Sequence, residues 1–167
     1  PIEDNEIVET ELLLSDLESV ESRIPSIEKK ARSGDPEAKE LLPIITSAHE
    51  LLSTGKPVRL LEVSESDKPK LKNLQLLTSK PVLYICNVSE KDAISGNKYS
   101  EVIQDIANNE NAISIIISAK IESEISLLNL EEKKEFLIAL GLDQSGLDQV
   151  IQSSYKLLDL ITYFTSG

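Results

Sequence analysis

The stretch Lys80–Asp92, KPVLYICNVSEKD, decides the fold that the sequence predicts. A short apolar run follows Pro81, and such a run is typical of a strand covered on both faces in a parallel sheet. We therefore predict a buried strand over about residues 82–86. Ligands of open α/β sheets bind just beyond the carboxyl ends of the strands. Asn87 and Glu90, which follow this strand, are thus candidate binding residues.

A second buried strand is predicted over about residues 112–118, AISIIIS. Between the two strands, Tyr99, Val102, Ile103 and Ile106 have helical spacing. A strand, a helix and a strand in this order form a right-handed parallel crossover, so the predicted fold class is α/β. Because two parallel strands do not make a covered sheet, we expect further strands N-terminal to Pro1.

The last helix is predicted to bury one apolar face in the core. Ser145 and Asp148 have the spacing of a helix N-terminal cap. The expected core positions of the helix are Leu147, Val150, Ile151, Ser154, Leu157, Leu158 and Ile161.

The first third of the chain is predicted to form an antiparallel coiled-coil hairpin. Apolar residues alternate at spacings of four and three along two segments, which is typical of a coiled-coil seam. Gly34 suits a left-handed helix end, and Asp35 can cap a second helix that starts at Pro36. We assign residues 1–56 to the hairpin and residues 57–167 to the α/β part. The seam positions are Leu13, Leu17, Val20, Ile24, Ile27, Ala31, Ala38, Leu41, Ile45, Ala48 and Leu52.

Composition limits the function classes. The 167 residues carry a formal charge of −12, which argues against a nucleic-acid surface over the whole protein but leaves a local basic patch open. One cysteine gives neither a disulfide framework nor a metal cluster. No apolar run approaches the roughly 20 residues that span a bilayer, and no signal peptide opens the chain. We expect a cytoplasmic protein with no membrane and no DNA partner. The start at Pro1 and the lack of Met suggest a fragment of a longer protein.

Residues that follow both strands have base-reading chemistry. In P-loop domains of the GTPase type, a loop with the pattern N-K-x-D follows a strand at this position. Its Asn can bond a purine N7 and the exocyclic substituent, and its Asp accepts from the N1–H and 2-amino groups of guanine. Here Asn87 occupies the position of the Asn, but Glu90 stands in place of the Asp and Val88 in place of the Lys. Guanine selectivity should therefore be lost. The sequence Ser-Ala-Lys at residues 118–120 matches the second base loop, whose backbone N–H groups face the base.

Longer stretches resemble the YchF/Obg-like ATPase family, a branch of the translation-factor-related P-loop proteins. The resemblance covers nearly the whole chain. It is carried by ETELLLSDLESVESR (9–23), KKARSGDPEAK (29–39), LLTSKPVLYICNVSEKD (76–92), SAKIESEISLLNLEEKKEFL (118–137) and GLDQVIQSSYKLLDLITYFTSG (146–167).

The resemblance implies a Ras-like P-loop nucleotide-binding domain with the hairpin inserted in it and a TGS domain beyond residue 167. This chain would hold the C-terminal half of that domain. The intact protein would bind and hydrolyse ATP in preference to GTP and act with the ribosome. The implied base-binding residues are Asn87, Val88 and Glu90 in one loop, with Val88 beside the adenine, and Ser118, Ala119 and Lys120 in the other.

The hydrolytic half of such a site is missing from the sequence. No G-x-x-x-x-G-K-[ST] motif occurs, and neither switch region is recognisable. We therefore predict no catalytic residue and no metal ligand in this chain, and expect the Mg²⁺ ligands of the intact protein to lie elsewhere. The chain alone should bind ATP weakly or not at all.

Four basic residues, Lys29, Lys30, Arg32 and Lys39, surround the hairpin turn. Cations near a helix C-terminus are favourable in themselves, which is one interpretation. The other is that the tip binds the phosphate backbone of ribosomal RNA.

A different class of function is also open. The hairpin could be a non-enzymatic interaction module that binds a partner protein, with the α/β part as its scaffold. A free two-stranded module would, however, expose a long apolar strand edge.

Overall fold

A helical hairpin opens the chain. The structure is a computed structural model that describes residues 2–110 and 112–164. Helix α1 (Ile2–Arg32) and helix α2 (Pro36–Ser53) are joined by a three-residue turn. Gly34 in this turn has a φ of +98°, and the Asp35 carboxylate accepts a hydrogen bond from the Ala38 N–H at 3.1 Å. The predicted turn is confirmed.

The predicted seam forms the core of the hairpin. Val20 and Ile45 are completely buried, and Ala48 and Leu52 lie beside them in the same apolar cluster. Further predicted seam residues are half-buried against that cluster: Leu13, Leu17, Ile24, Ile27 and Leu41. The spacing of the apolar residues therefore identified the packed face of both helices.

Residues 57–80 pack with the hairpin. They contain helix α3 (Lys68–Asn73) and 3-10 turns at Val58–Leu60 and Leu77–Ser79. The first packing unit accordingly runs from Glu3 to Lys80, and the second begins at Pro81. The domain division after residue 56 stays a prediction about the intact protein. Three residues of the segment, Val58, Leu74 and Leu76, belong to the hairpin core.

Asp16 anchors this segment to α1. Its side chain is 3% exposed, and its Oδ1 accepts the Leu77 N–H at 2.8 Å. Its Oδ2 accepts both the backbone N–H and the hydroxyl of Thr78, each at 2.7 Å. The Thr78 Oγ1 in turn accepts the Val58 N–H at 3.1 Å. A buried carboxylate is costly unless it is fully hydrogen-bonded, and here three donors satisfy it.

The second unit contains a parallel two-stranded sheet. Strand β1 (Leu83–Asn87) pairs with strand β2 (Ile113–Ile117) in a register that runs from Leu83 opposite Ile113 to Asn87 opposite Ile117. Helix α4 (Lys98–Asn109) connects the two strands. The strands predicted over 82–86 and 112–118 are confirmed with ends shifted by one residue, and the fold class is α/β. The prediction that β1 is buried is wrong: none of its residues is buried and Ile85 is 48% exposed, because a two-stranded sheet leaves part of its surface uncovered.

Three helices follow β2: α5 (Ala119–Ile125), α6 (Leu130–Leu140) and α7 (Gly146–Leu157). Asn129 and Glu132 cap the start of α6, and Gly141 ends that helix with a φ of +71°. Ser145 caps α7 by accepting the Asp148 N–H. None of the helices in the described ranges is both long and apolar enough to cross a membrane.

The predicted core face of the last helix is partly wrong. Val150, Ser154 and Leu157 are half-buried as expected. Other members of that face are exposed: Leu147 at 60%, Ile151 at 47%, Leu158 at 54% and Ile161 at 84%. The apolar face is wider than a sheet of two five-residue strands can cover.

Replacing Asp16 with Ala tests the anchor. The change leaves the buried N–H of Thr78 and the partly buried N–H of Leu77 without an acceptor, so we expect the free energy of unfolding to fall by about 2–4 kcal/mol. Urea-induced unfolding followed by circular dichroism measures it. Glu18→Ala, on an exposed site of the same helix, should change it by less than about 0.5 kcal/mol. Equal effects of the two changes would contradict the anchoring role.

Candidate functional site

The carboxyl ends of β1 and β2 lie side by side. Pairing extends one residue beyond β1, because the Val88 N–H donates to the Ile117 carbonyl at 2.8 Å. Val88 is 9% exposed, so its side chain packs into the unit. The loop after β1 and the start of α5 are therefore neighbours. We call the loop of residues 87–90 the first loop and residues 118–120 the second loop.

A side-chain amide ties the two loops together. The Asn87 Oδ1 accepts a hydrogen bond from the Ala119 N–H at 3.0 Å. Only an oxygen can accept from this N–H, so the bond fixes the orientation of the amide. The Asn87 NH₂ group donates to no residue in the part of the chain that the structure describes, and the residue is exposed. It is available to donate to a ligand.

An ion pair forms the second tie. The Lys120 Nζ donates to the Glu90 Oε2 at 2.7 Å, and the two side chains are 68% and 43% exposed. The hydrogen bond to Glu90 raises the pKa of the Lys120 ammonium above its ordinary value. Glu90 opens a 3-10 turn, Glu90–Asp92, in which the Ser89 hydroxyl donates to the Asp92 carboxylate at 2.7 Å. The turn fixes the backbone that carries Glu90.

The Ser118 hydroxyl is buried without a partner. Ser118 is 3% exposed, and its Oγ makes no hydrogen bond within residues 2–110 and 112–164. Ser145, also directly before a helix, is equally buried, but its hydroxyl donates to the Asp148 carboxylate at 2.6 Å. An unsatisfied buried polar group costs about 1–3 kcal/mol. Within the described residues, the Ser118 hydroxyl is therefore a buried polar group that makes no hydrogen bond.

Sequence reasoning missed Glu122 and Gly146, which support the second loop. The Glu122 carboxylate accepts the N–H groups of Gly146 at 2.6 Å and Leu147 at 3.1 Å, so it caps α7 from α5. A Cβ at Gly146 would lie 2.8 Å from the Ile117 Cγ2, closer than carbon atoms can approach. The only signal in the sequence is a Gly in the first turn of a predicted helix, which often marks close packing.

A cleft of about 390 Å³ lies in the second unit, and none of the six predicted base-binding residues lines it. Cys86 lines it, and burial raises the pKa of that thiol above its ordinary value. A thiol with a raised pKa is a poor nucleophile, so Cys86 acts as a small apolar residue.

The basic tip lies in the first packing unit. Lys29, Lys30 and Lys39 are exposed. The Arg32 guanidinium contacts the Glu28 carboxylate at 3.2 Å while remaining 81% exposed. The turn thus presents four cations, one of them paired.

Comparison with known proteins shows similarity to YchF proteins. The chain is 46% identical over 169 residues to the ribosome-binding ATPase YchF of Bacillus subtilis and 39% identical over 167 residues to that of Escherichia coli O157:H7. It also matches the solved structure of the Schizosaccharomyces pombe YchF GTPase, with a TM-score of 0.87 and 30% identity. Along its whole length, the chain resembles the YchF family.

The YchF resemblance inferred from the sequence is therefore confirmed. Each match covers 100% of the chain but 46% of the relative, so the chain spans about half the length of the YchF proteins that it matches. No protein-family model matches the sequence.

In this YchF-like chain, the structure brings the predicted base-binding residues together on two adjoining loops. Asn87 contacts Ala119, Glu90 contacts Lys120, and Ser118 directly precedes Ala119. Their contact with a nucleotide base stays a prediction. Within the described residues, no cluster of three or more His, Cys, Asp or Glu side chains could hold a metal ion.

Replacing Ser118 with Ala tests whether its hydroxyl is unused by the fold. We expect the free energy of unfolding to stay constant or to rise by up to about 1 kcal/mol, because an unsatisfied buried group is removed. Ser145→Ala is the matched control and should lower it by about 1–2 kcal/mol through loss of a helix cap. Urea-induced unfolding compares the two. Equal destabilisation would show that the Ser118 hydroxyl has a structural partner.

Proposed function

We propose that this chain supplies the base-reading edge of a longer YchF-like P-loop protein that binds and hydrolyses ATP in the cytoplasm. One observation carries the proposal. The loops at the ends of two parallel strands are joined by the Asn87–Ala119 and Glu90–Lys120 contacts, and the exposed Asn87 NH₂ group remains free to donate. The relatives from Bacillus subtilis and Escherichia coli are named ribosome-binding ATPases, which supports ATP as the nucleotide.

The hydrogen-bonding capacity of Asn87 suits adenine. Its NH₂ group can donate to the purine N7, which accepts. Its Oδ1 already accepts from the Ala119 N–H but has a second lone pair, which can accept from the 6-amino group of adenine. Val88 follows Asn87 in the first loop, and the small exposed part of its side chain can provide apolar contact to the ring.

The residues present fit a base and not the phosphates. The sequence has no phosphate-binding loop motif, and the described residues offer no cluster for Mg²⁺. In the intact protein, we assign the phosphates, the Mg²⁺ and the hydrolytic chemistry to residues outside this chain. The chain alone is then inactive and binds ATP weakly or not at all.

Replacing Asn87 with Ala in the intact protein tests the base-reading role. Loss of one base contact, about 1.4 kcal/mol, should weaken ATP binding about tenfold in calorimetric titration. Asn108→Ala, on an exposed site of α4, should leave the affinity unchanged. Titration of residues 1–167 alone should give little or no binding.

Three results would contradict the proposal. Micromolar ATP affinity of residues 1–167 alone would show that the phosphates are not needed for binding. Equal ATP affinities of the Asn87→Ala variant and the unchanged protein would show that Asn87 does not contact the base. An intact protein that binds no nucleotide would instead favour an interaction module.

We also propose that the basic tip binds ribosomal RNA. Lys29, Lys30 and Lys39 are exposed in an otherwise acidic chain, and Arg32 is mostly exposed beside them. Cations at a helix end can contact phosphate groups, and such binding weakens steeply with salt. The names of the bacterial relatives, ribosome-binding ATPases, support the choice of partner.

Reversing the charges of Lys29, Lys30 and Arg32 to Glu in the intact protein tests the tip. Three lost phosphate contacts should lower co-sedimentation with ribosomes at least about tenfold at low salt. Reversing Lys56, Lys72 and Lys134, which are exposed elsewhere, gives the same change in net charge. If both triple variants lose binding equally, net charge and not the tip is responsible.

A further inference from the structure

We propose that Lys120 determines base selectivity by pairing with Glu90 and so withdrawing the carboxylate that guanine would need. The inference rests on the proposed function and extends it to a specificity-determining residue in the second loop. The observation that carries it is the 2.7 Å contact between Lys120 Nζ and Glu90 Oε2, which joins the two loops.

Guanine and adenine make opposite demands on this site. Guanine presents two donors side by side, N1–H and the 2-amino group, and a carboxylate binds both when its two oxygens are free. Adenine lacks the 2-amino group, and its N1 accepts. With Glu90 Oε2 hydrogen-bonded to the Lys120 ammonium and its charge offset, the carboxylate is a weaker acceptor for the two guanine donors.

The hydrogen bond between Asn87 and Ala119 also disfavours guanine. The oxygen at position 6 of guanine needs a hydrogen-bond donor, and the Ala119 N–H would be one in the second loop. That N–H already donates to the Asn87 Oδ1. The Ala119 N–H and one oxygen of Glu90 are therefore both engaged within the protein before any base arrives.

Lys120 is the member of this arrangement that can be changed without disturbing the fold. Its side chain is 68% exposed, and exposed ion pairs contribute little to stability. The charge of Glu124 also raises the pKa of Lys120, after the larger effect of the hydrogen bond to Glu90. Removing the ammonium frees Glu90 and leaves the backbone of both loops as it is.

The test measures dissociation constants of the intact protein for ATP, GTP and ITP. In Lys120→Met, we expect GTP affinity to rise about tenfold relative to ATP affinity, because the freed Glu90 gains charged hydrogen bonds to guanine. ITP, whose base has N1–H but no 2-amino group, should gain less than GTP. The gain should disappear in the double variant Glu90→Gln/Lys120→Met.

Lys91→Met is the matched control, since Lys91 is an exposed lysine in the same turn as Glu90, and it should leave the ATP to GTP ratio unchanged. A ratio that stays within twofold in Lys120→Met overturns the inference, as does a gain that persists in the double variant. If the unchanged protein binds ATP, these results leave the proposed function intact. If it binds no nucleotide, both the proposed function and this inference fail.

Discussion

Parallel pairing of β1 with β2 is the constraint on which the candidate site depends. The register places Asn87 opposite Ile117, so the polypeptide leaves both strands at the same edge. Side chains thirty positions apart in sequence, such as those of Glu90 and Lys120, can then meet within hydrogen-bond distance. A register slip of one residue would turn each side chain to the opposite face and separate these contacts. The small sheet therefore determines which side chains of the two loops are in contact.

The two packing units are stabilised in different ways. The hairpin unit combines an apolar seam with one buried carboxylate, Asp16, which satisfies backbone donors of the 3-10 turn Leu77–Ser79 before β1. The second unit has a smaller apolar cluster of Ile121, Ile125 and Leu137, together with short-range caps and Glu122, which joins α5 to the start of α7. Its helix α7 exposes Leu147 and Ile151, so less of its apolar surface is covered.

Local patterns in the sequence predicted the elements, but not the contacts between them. Gly34 with Asp35 predicted the hairpin turn, and Ser145 with Asp148 predicted a helix cap, because each pair acts within a few residues. The partners of Asp16, Glu90 and Glu122 lie far along the chain, and no spacing rule encodes them. Periodicity also overstated the buried face of α7, since it shows which residues are apolar and not what covers them.

The most direct measurement is a crystal structure of the intact protein with a non-hydrolysable ATP analogue. We expect the adenine to lie between the first and second loops, with its N7 within hydrogen-bond distance of the Asn87 NH₂ group and Val88 beside the ring. The Glu90–Lys120 pair should remain closed. An adenine bound away from Asn87, or one that contacts neither loop, would contradict the assignment of this edge to base recognition.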